Sequence, residues 1–73
     1  MSGYTIVYEL RNGSLATLHV PTEETVDVVE VARSVVESME VNEFVYTYTP
    51  THATALRSST VIRAQVVLDP DPT

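Results

Sequence analysis

The sequence has no cysteine, no lysine, only two glycines and no long apolar run. Each absence removes a class of function. Without cysteine there are no disulfides, no thiolate nucleophile and no Cys-based zinc site. Two glycines, Gly3 and Gly13, leave no glycine-rich loop to cradle a phosphate. Apolar residues make up 44% of the chain, too many for disorder, yet they are interrupted too often for a membrane span. The opening residues, Met1-Ser2-Gly3-Tyr4, carry neither a basic n-region nor an apolar h-region, so a cytoplasmic protein without a signal peptide is expected. Asn12-Gly13-Ser14 matches a glycosylation sequon, but without such a signal it reads as a turn.

At 73 residues the chain holds one core. A domain of this size buries only about 60% of the surface that its unfolded chain exposes, so stability is modest unless the chain oligomerises. Ten acids face four bases, all arginine, for a net charge of −6. That charge repels the phosphate backbone and anionic lipid alike, so neither direct nucleic-acid binding nor a membrane surface is expected.

Apolar periodicity divides the chain. Tyr4 to Leu10 reads as a strand with Tyr4, Ile6, Tyr8 and Leu10 on its apolar face. Ser14 to Val20 is a second, with Ala16, Leu18 and Val20 inward. Both apolar sets are even-numbered, so only an odd-length loop keeps them on one face. The solution is a three-residue loop, Arg11-Asn12-Gly13, with Gly13 in the left-handed region and Ile6 opposite Leu18. Pro21 ends the strand, and Thr22 is a candidate helix cap followed by Glu23 and Glu24. From Val26 to Glu40 the period changes to 3.6: Val28, Val29, Val31, Ala32, Val35, Val36 and Met39 share an arc. Asn42 is the expected left-handed stop. Glu43 to Thr49 alternates again, a loop is expected from Thr51 to Ser59, and Thr60 to Leu68 is the last strand, with Ile62, Ala64, Val66 and Leu68 inward. A single domain over residues 1–68 and an acidic, proline-rich tail over 69–73 result.

The predicted fold is α+β: ββαββ, with a four-stranded sheet and one helix packed on one face. Over Tyr4 to Glu37 the chain resembles the ubiquitin-like β-grasp fold. The hairpin with its glycine turn, Leu18-His19-Val20, and the helix entry Pro21-Thr22-Glu23-Glu24-Thr25-Val26 carry the likeness. The resemblance implies strand order 2-1-4-3, with the first and last strands side by side and parallel. The tail, Asp69-Pro70-Asp71-Pro72-Thr73, lacks the terminal Gly-Gly that modifiers and sulfur carriers activate. The resemblance therefore implies a binding module and not a conjugated or sulfur-carrying protein.

Residues able to do chemistry are few. His19 and His52 have no second ligand at a metal-binding spacing, and each reads as an ordinary surface or loop histidine; no metal or cofactor is expected. His52, Ser58, Ser59 and Asp69 supply the residue types of a hydrolytic triad, but no nucleophile-elbow glycines surround either serine. Thr49-Pro50 reads as turn chemistry more than as a phosphorylation site. No catalytic residue is assigned, and no enzyme is expected.

Three surfaces remain as contact candidates. The outer sheet face carries Val7, Val45, Arg63 and Val67. All five aromatics fall on the predicted helix side, either as core or as a tyrosine-rich patch of Tyr4, Tyr46 and Tyr48 beyond the helix. Glu23, Asp27, Glu30 and Glu37 form an acidic helix face. The expected function is a non-enzymatic protein–protein interaction module, an accessory or regulatory subunit acting through a sheet face or edge strand. The alternatives are an acidic, phage-type inhibitor that mimics nucleic acid, and a homo-oligomeric assembly protein such as a homodimer.

Overall fold

The computed structural model describes residues 3–70. Beyond Pro70, the tail expected from the sequence lies outside the described residues. Among these residues the chain is α+β, with one helix and five strands in two sheets: β1 (Gly3–Leu10), β2 (Leu15–Pro21), α1 (Val28–Val41), β3 (Phe44–Tyr48), β4 (Ala53–Arg57) and β5 (Val61–Leu68). A 3-10 turn at Ser58–Thr60 joins the last two strands.

The hairpin forms as its parity requires. Ile6 pairs with Leu18 and Tyr8 with Ala16. Leu10 N donates to Ser14 O and Gly13 N to Leu10 O, both at 2.9 Å, which closes a three-residue loop. Asn12 Oδ1 accepts from Ser14 N at 2.9 Å. Gly13 sits at φ 87°, and a Cβ built there would meet nothing within 4 Å. The cost of replacing it is therefore purely conformational. Gly13→Ala is expected to destabilise the domain by about 1–2 kcal/mol, and Gly13→Asn by less, because Asn tolerates the left-handed region. Urea midpoints of the two variants check this order.

Helix α1 starts later than the Thr22 reading placed it. Asp27 is the N-cap, its Oδ1 accepting from Val29 N at 3.1 Å and Glu30 N at 3.3 Å. Thr22 Oγ1 accepts from Glu24 N at 3.1 Å, a local turn before the helix. Asn42 ends the helix in extended backbone at φ −116°, not in the left-handed region. Its backbone N and its side-chain amide both donate to Ser38 O, at 2.9 Å and 3.0 Å, so the side chain doubles the last helical hydrogen bond.

The second half departs from the four-stranded, 2-1-4-3 arrangement. The sheets are β2-β1-β5 and β3-β4, every pairing antiparallel. The difference lies in Ala53–Arg57, expected as loop, which forms β4 against β3. One extra strand adds one reversal of chain direction. The last strand therefore returns antiparallel to β1, where the β-grasp resemblance implied a parallel neighbour. A register shift between Glu9 and Leu10 sets Val61, not Ile62, opposite Leu10. This bulge exchanges the roles read from strict alternation: Val61 packs against the core and Ile62 is exposed.

The inner face of the three-stranded sheet carries two covers. The principal contacts of α1 are with β5, and β3 adjoins β2, so helix and β3–β4 hairpin lie side by side over one sheet. Ile6, Tyr8, Leu18, Val35 and Val45 form the buried cluster, and Val31, Met39, Leu56 and Val66 pack against it. Among the described residues no side chain is completely enclosed. Val36, expected inward, is 48% exposed and lies on the flank of the helix.

Candidate protein-contact surface

The outer face of the β2-β1-β5 sheet brings Val7, Arg63 and Val67 together but not Val45. Val7 stands between Thr17 and Gln65, Thr5 between His19 and Val67, and Glu9 between Leu15 and Arg63. Apolar side chains thus sit diagonally, each with polar neighbours directly across. The polar groups also bind one another. Arg63 Nη2 lies 3.3 Å from Glu9 Oε1. At the other end of the sheet His19 Nδ1 lies 3.2 Å from Asp69 Oδ2, and Thr5 Oγ1 donates to Asp69 Oδ1 at 3.2 Å. This pattern is that of a solvated antiparallel face.

The Thr5–His19–Asp69 group has the residue types of a relay but not its geometry. A relay needs the hydroxyl and the carboxylate on opposite ring nitrogens. Here both lie on the Nδ1 side, and the Thr5 proton goes to the carboxylate. The group instead ties the end of β5 across β1 to β2, helped by Asp69 N donating to Gly3 O at 3.0 Å. Glycine is required there, because a Cβ on residue 3 would stand 2.6 Å from Val20 O and 3.1 Å from Asp69 Oδ2.

His52 lies in the β3–β4 turn with its Nδ1 2.7 Å from Thr51 Oγ1, while Ser58 Oγ donates to Asn42 O at 2.8 Å. His52, Ser58 and Asp69 thus stand in separate local contacts, Asp69 at His19. Thr49 Oγ1 accepts from His52 N at 3.1 Å and Thr51 N at 3.3 Å, which makes it a turn-forming hydroxyl. Among the described residues no three His, Cys, Asp or Glu side chains converge as metal ligands. The acidic face is partly engaged: Asp27 caps the helix, and Glu30 Oε1 holds Arg33 Nη1 at 2.6 Å.

Strand β3 is where placement departs most from the sequence reading. Val45, expected outside, is 7% exposed and joins the core, and Thr47 is buried beside it. Tyr46 and Tyr48, expected on the helix side, are each 60% exposed. Phe44 is the third ring of this row and Arg57 stacks on it, 4.9 Å from the centroid and ion-paired to Glu43. Tyr4, the remaining member of the expected aromatic patch, stays with the core on β1.

The hairpin's open face thus has three aromatics in one row and Arg57, Ala55 and Ala53 directly across. Alanines do not reach over neighbouring rings, so the flanks of Tyr46 and Tyr48 stay bare. The row runs into a groove of about 450 Å³ lined by His19, Pro21, Tyr48, Thr49 and Pro50. Rigid Pro and Tyr surfaces with few polar atoms are the materials of peptide-binding grooves. Sequence reasoning missed the alanine row, because Ala53-Thr54-Ala55-Leu56-Arg57 alternates only between small residues until Leu56. Compared with protein-family models, with curated proteins and with solved structures, the chain matches none of them.

Proposed function

We propose that the protein is a non-enzymatic contact module, an accessory or regulatory subunit that grips a protein partner through the open face of the β3–β4 hairpin. The observation that carries this reading is the exposure of Tyr46 and Tyr48 over a row of alanines. Both rings could have turned to the core at no change of strand period, yet Val45 and Thr47 take that side. Tyrosine and arginine dominate interface hot spots because they bury much area at little entropic cost and keep a polar end. Phe44, Tyr46, Tyr48 and Arg57 supply that set, and the Pro21–Pro50 groove extends it toward an extended peptide segment. The net charge of −6 turns away nucleic acid, and among the described residues no helix is long and apolar enough to cross a membrane. The proposed setting is the cytoplasm.

Affinity capture from host extract tests the reading. The parent chain should retain a partner that the double variant Tyr46→Ser/Tyr48→Ser loses, while its far-UV circular dichroism stays unchanged. Val7→Lys/Val67→Lys, on the outer sheet face, should keep the partner. Loss in the outer-face variant with retention in the tyrosine variant would move the contact to the three-stranded sheet and overturn the assignment.

A further inference from the structure

Among the described residues, β5 has β1 on one side and no strand on the other. Asp69 N donates to Gly3 O, in register with the β1–β5 ladder, and this sets the alternation along the strand. The main-chain groups of Val67, Gln65 and Arg63 turn toward β1, and those of Leu68, Val66 and Ala64 turn to the open edge. The strand, VIRAQVVL, is eight residues long, with one charge and neither Pro nor Lys to block pairing. Ile62, Val67 and Leu68 are all exposed.

The helix flank above this edge is apolar too. Asp27, Glu30 and Val31 line a cleft with Tyr4, Val20 and Pro21, so that side of α1 faces β2. At about 100° per residue, Val29 and Val36 project from the opposite side, above β5. They are 62% and 48% exposed. The acids that give the chain its net charge of −6 are sparse here. β5 carries Arg63 alone, and the flank adds one charge of each sign, Arg33 and Glu40.

The geometry points to a second copy of this chain as the occupant of this edge. Two β5 strands pair antiparallel across a two-fold axis, giving a six-stranded sheet, β2-β1-β5-β5-β1-β2, with both helices on one face. An antiparallel pair of identical strands is its own complement, so each open donor finds an acceptor without a different partner. Centred on Gln65, the pairing sets Ala64 against Val66 and Ile62 against Leu68 of the copy. The two Val29–Val36 flanks then close over the axis. A monomer that encloses no side chain completely among the described residues gains the covered surface its small core lacks. This edge is separate from the aromatic hairpin face, so the inference stands independently of the proposed function.

Sedimentation equilibrium of the full chain, from micromolar to millimolar concentration, tests it. The mass should rise to twice that of the chain, with a melting temperature that increases with concentration. Amide exchange at Ala64, Val66 and Leu68 should slow over the same range. Ile62→Lys/Leu68→Lys, both at exposed positions, should stay at the chain mass with an unchanged dichroism spectrum, as should Val36→Glu. A parent chain that stays monomeric throughout overturns the proposal. So does a dimer that survives Ile62→Lys/Leu68→Lys, or one lost only in Tyr46→Ser/Tyr48→Ser, which would put the self-contact on the hairpin.

Discussion

Val35→Asp is expected to leave the chain largely unfolded at neutral pH. Val35 is 9% exposed and packs within the cluster of Ile6, Tyr8, Leu18 and Val45. That cluster offers no cation. Arg33, two residues away, points off the outer side of the helix and is held by Glu30. An unpaired charge buried this way costs on the order of 3–5 kcal/mol. At about 0.05–0.15 kcal/mol per residue, a chain of 73 residues has roughly 4–11 kcal/mol to lose, and a core without a fully enclosed side chain belongs near the lower end. Val35→Thr keeps the shape and adds only a hydroxyl, so it should cost about 1–3 kcal/mol and leave a cooperative transition. Thermal melts followed at 222 nm separate the three chains. If the aspartate variant melts like the parent, the helix presents a different face to the sheet.

A second large effect distinguishes neighbours on one strand. Val45→Glu should unfold the domain, whereas Tyr46→Glu should shift its stability by no more than about 0.5 kcal/mol. Val45 faces the core opposite Leu56, and Tyr46 faces solvent opposite Ala55. A glutamate at 45 would bury its charge among Leu18, Val35 and Ile6; at 46 it would extend into water. Urea denaturation of the two variants measures the contrast. Equal destabilisation would mean that the β3–β4 hairpin is not packed against the three-stranded sheet as described. The reverse order would restore the aromatic side as the buried one and remove the basis of the proposed contact face.

The first half of the chain was legible because its patterns have one solution each. Ile6, Tyr8, Leu10, Ala16 and Leu18 share a face only if the loop between them is odd in length, and Gly13 supplies the one backbone conformation that such a loop demands. The 3.6-residue stripe from Val28 to Met39 identified the helix despite its many valines, since burial outweighs the propensity of β-branched residues. The second half has patterns with two solutions. A period of 2 divides β3 into Phe44, Tyr46, Tyr48 and Val45, Thr47, but it does not say which set faces inward. Tertiary packing decided this. The hairpin shares its layer with α1 over one small sheet, and the smaller Val45 and Thr47 take the inner side while the rings stay outside. The strand Ala53–Arg57 was invisible for a related reason: alternating alanine and threonine carry almost no hydrophobic contrast, and pairing with β3 makes them a strand. That one strand reversed β5 and left its far edge open. Sequence alone thus determined the elements whose faces differ sharply in polarity. The partnerships of strands with two acceptable faces, and with them both candidate contact surfaces, were decided by which neighbour each strand found.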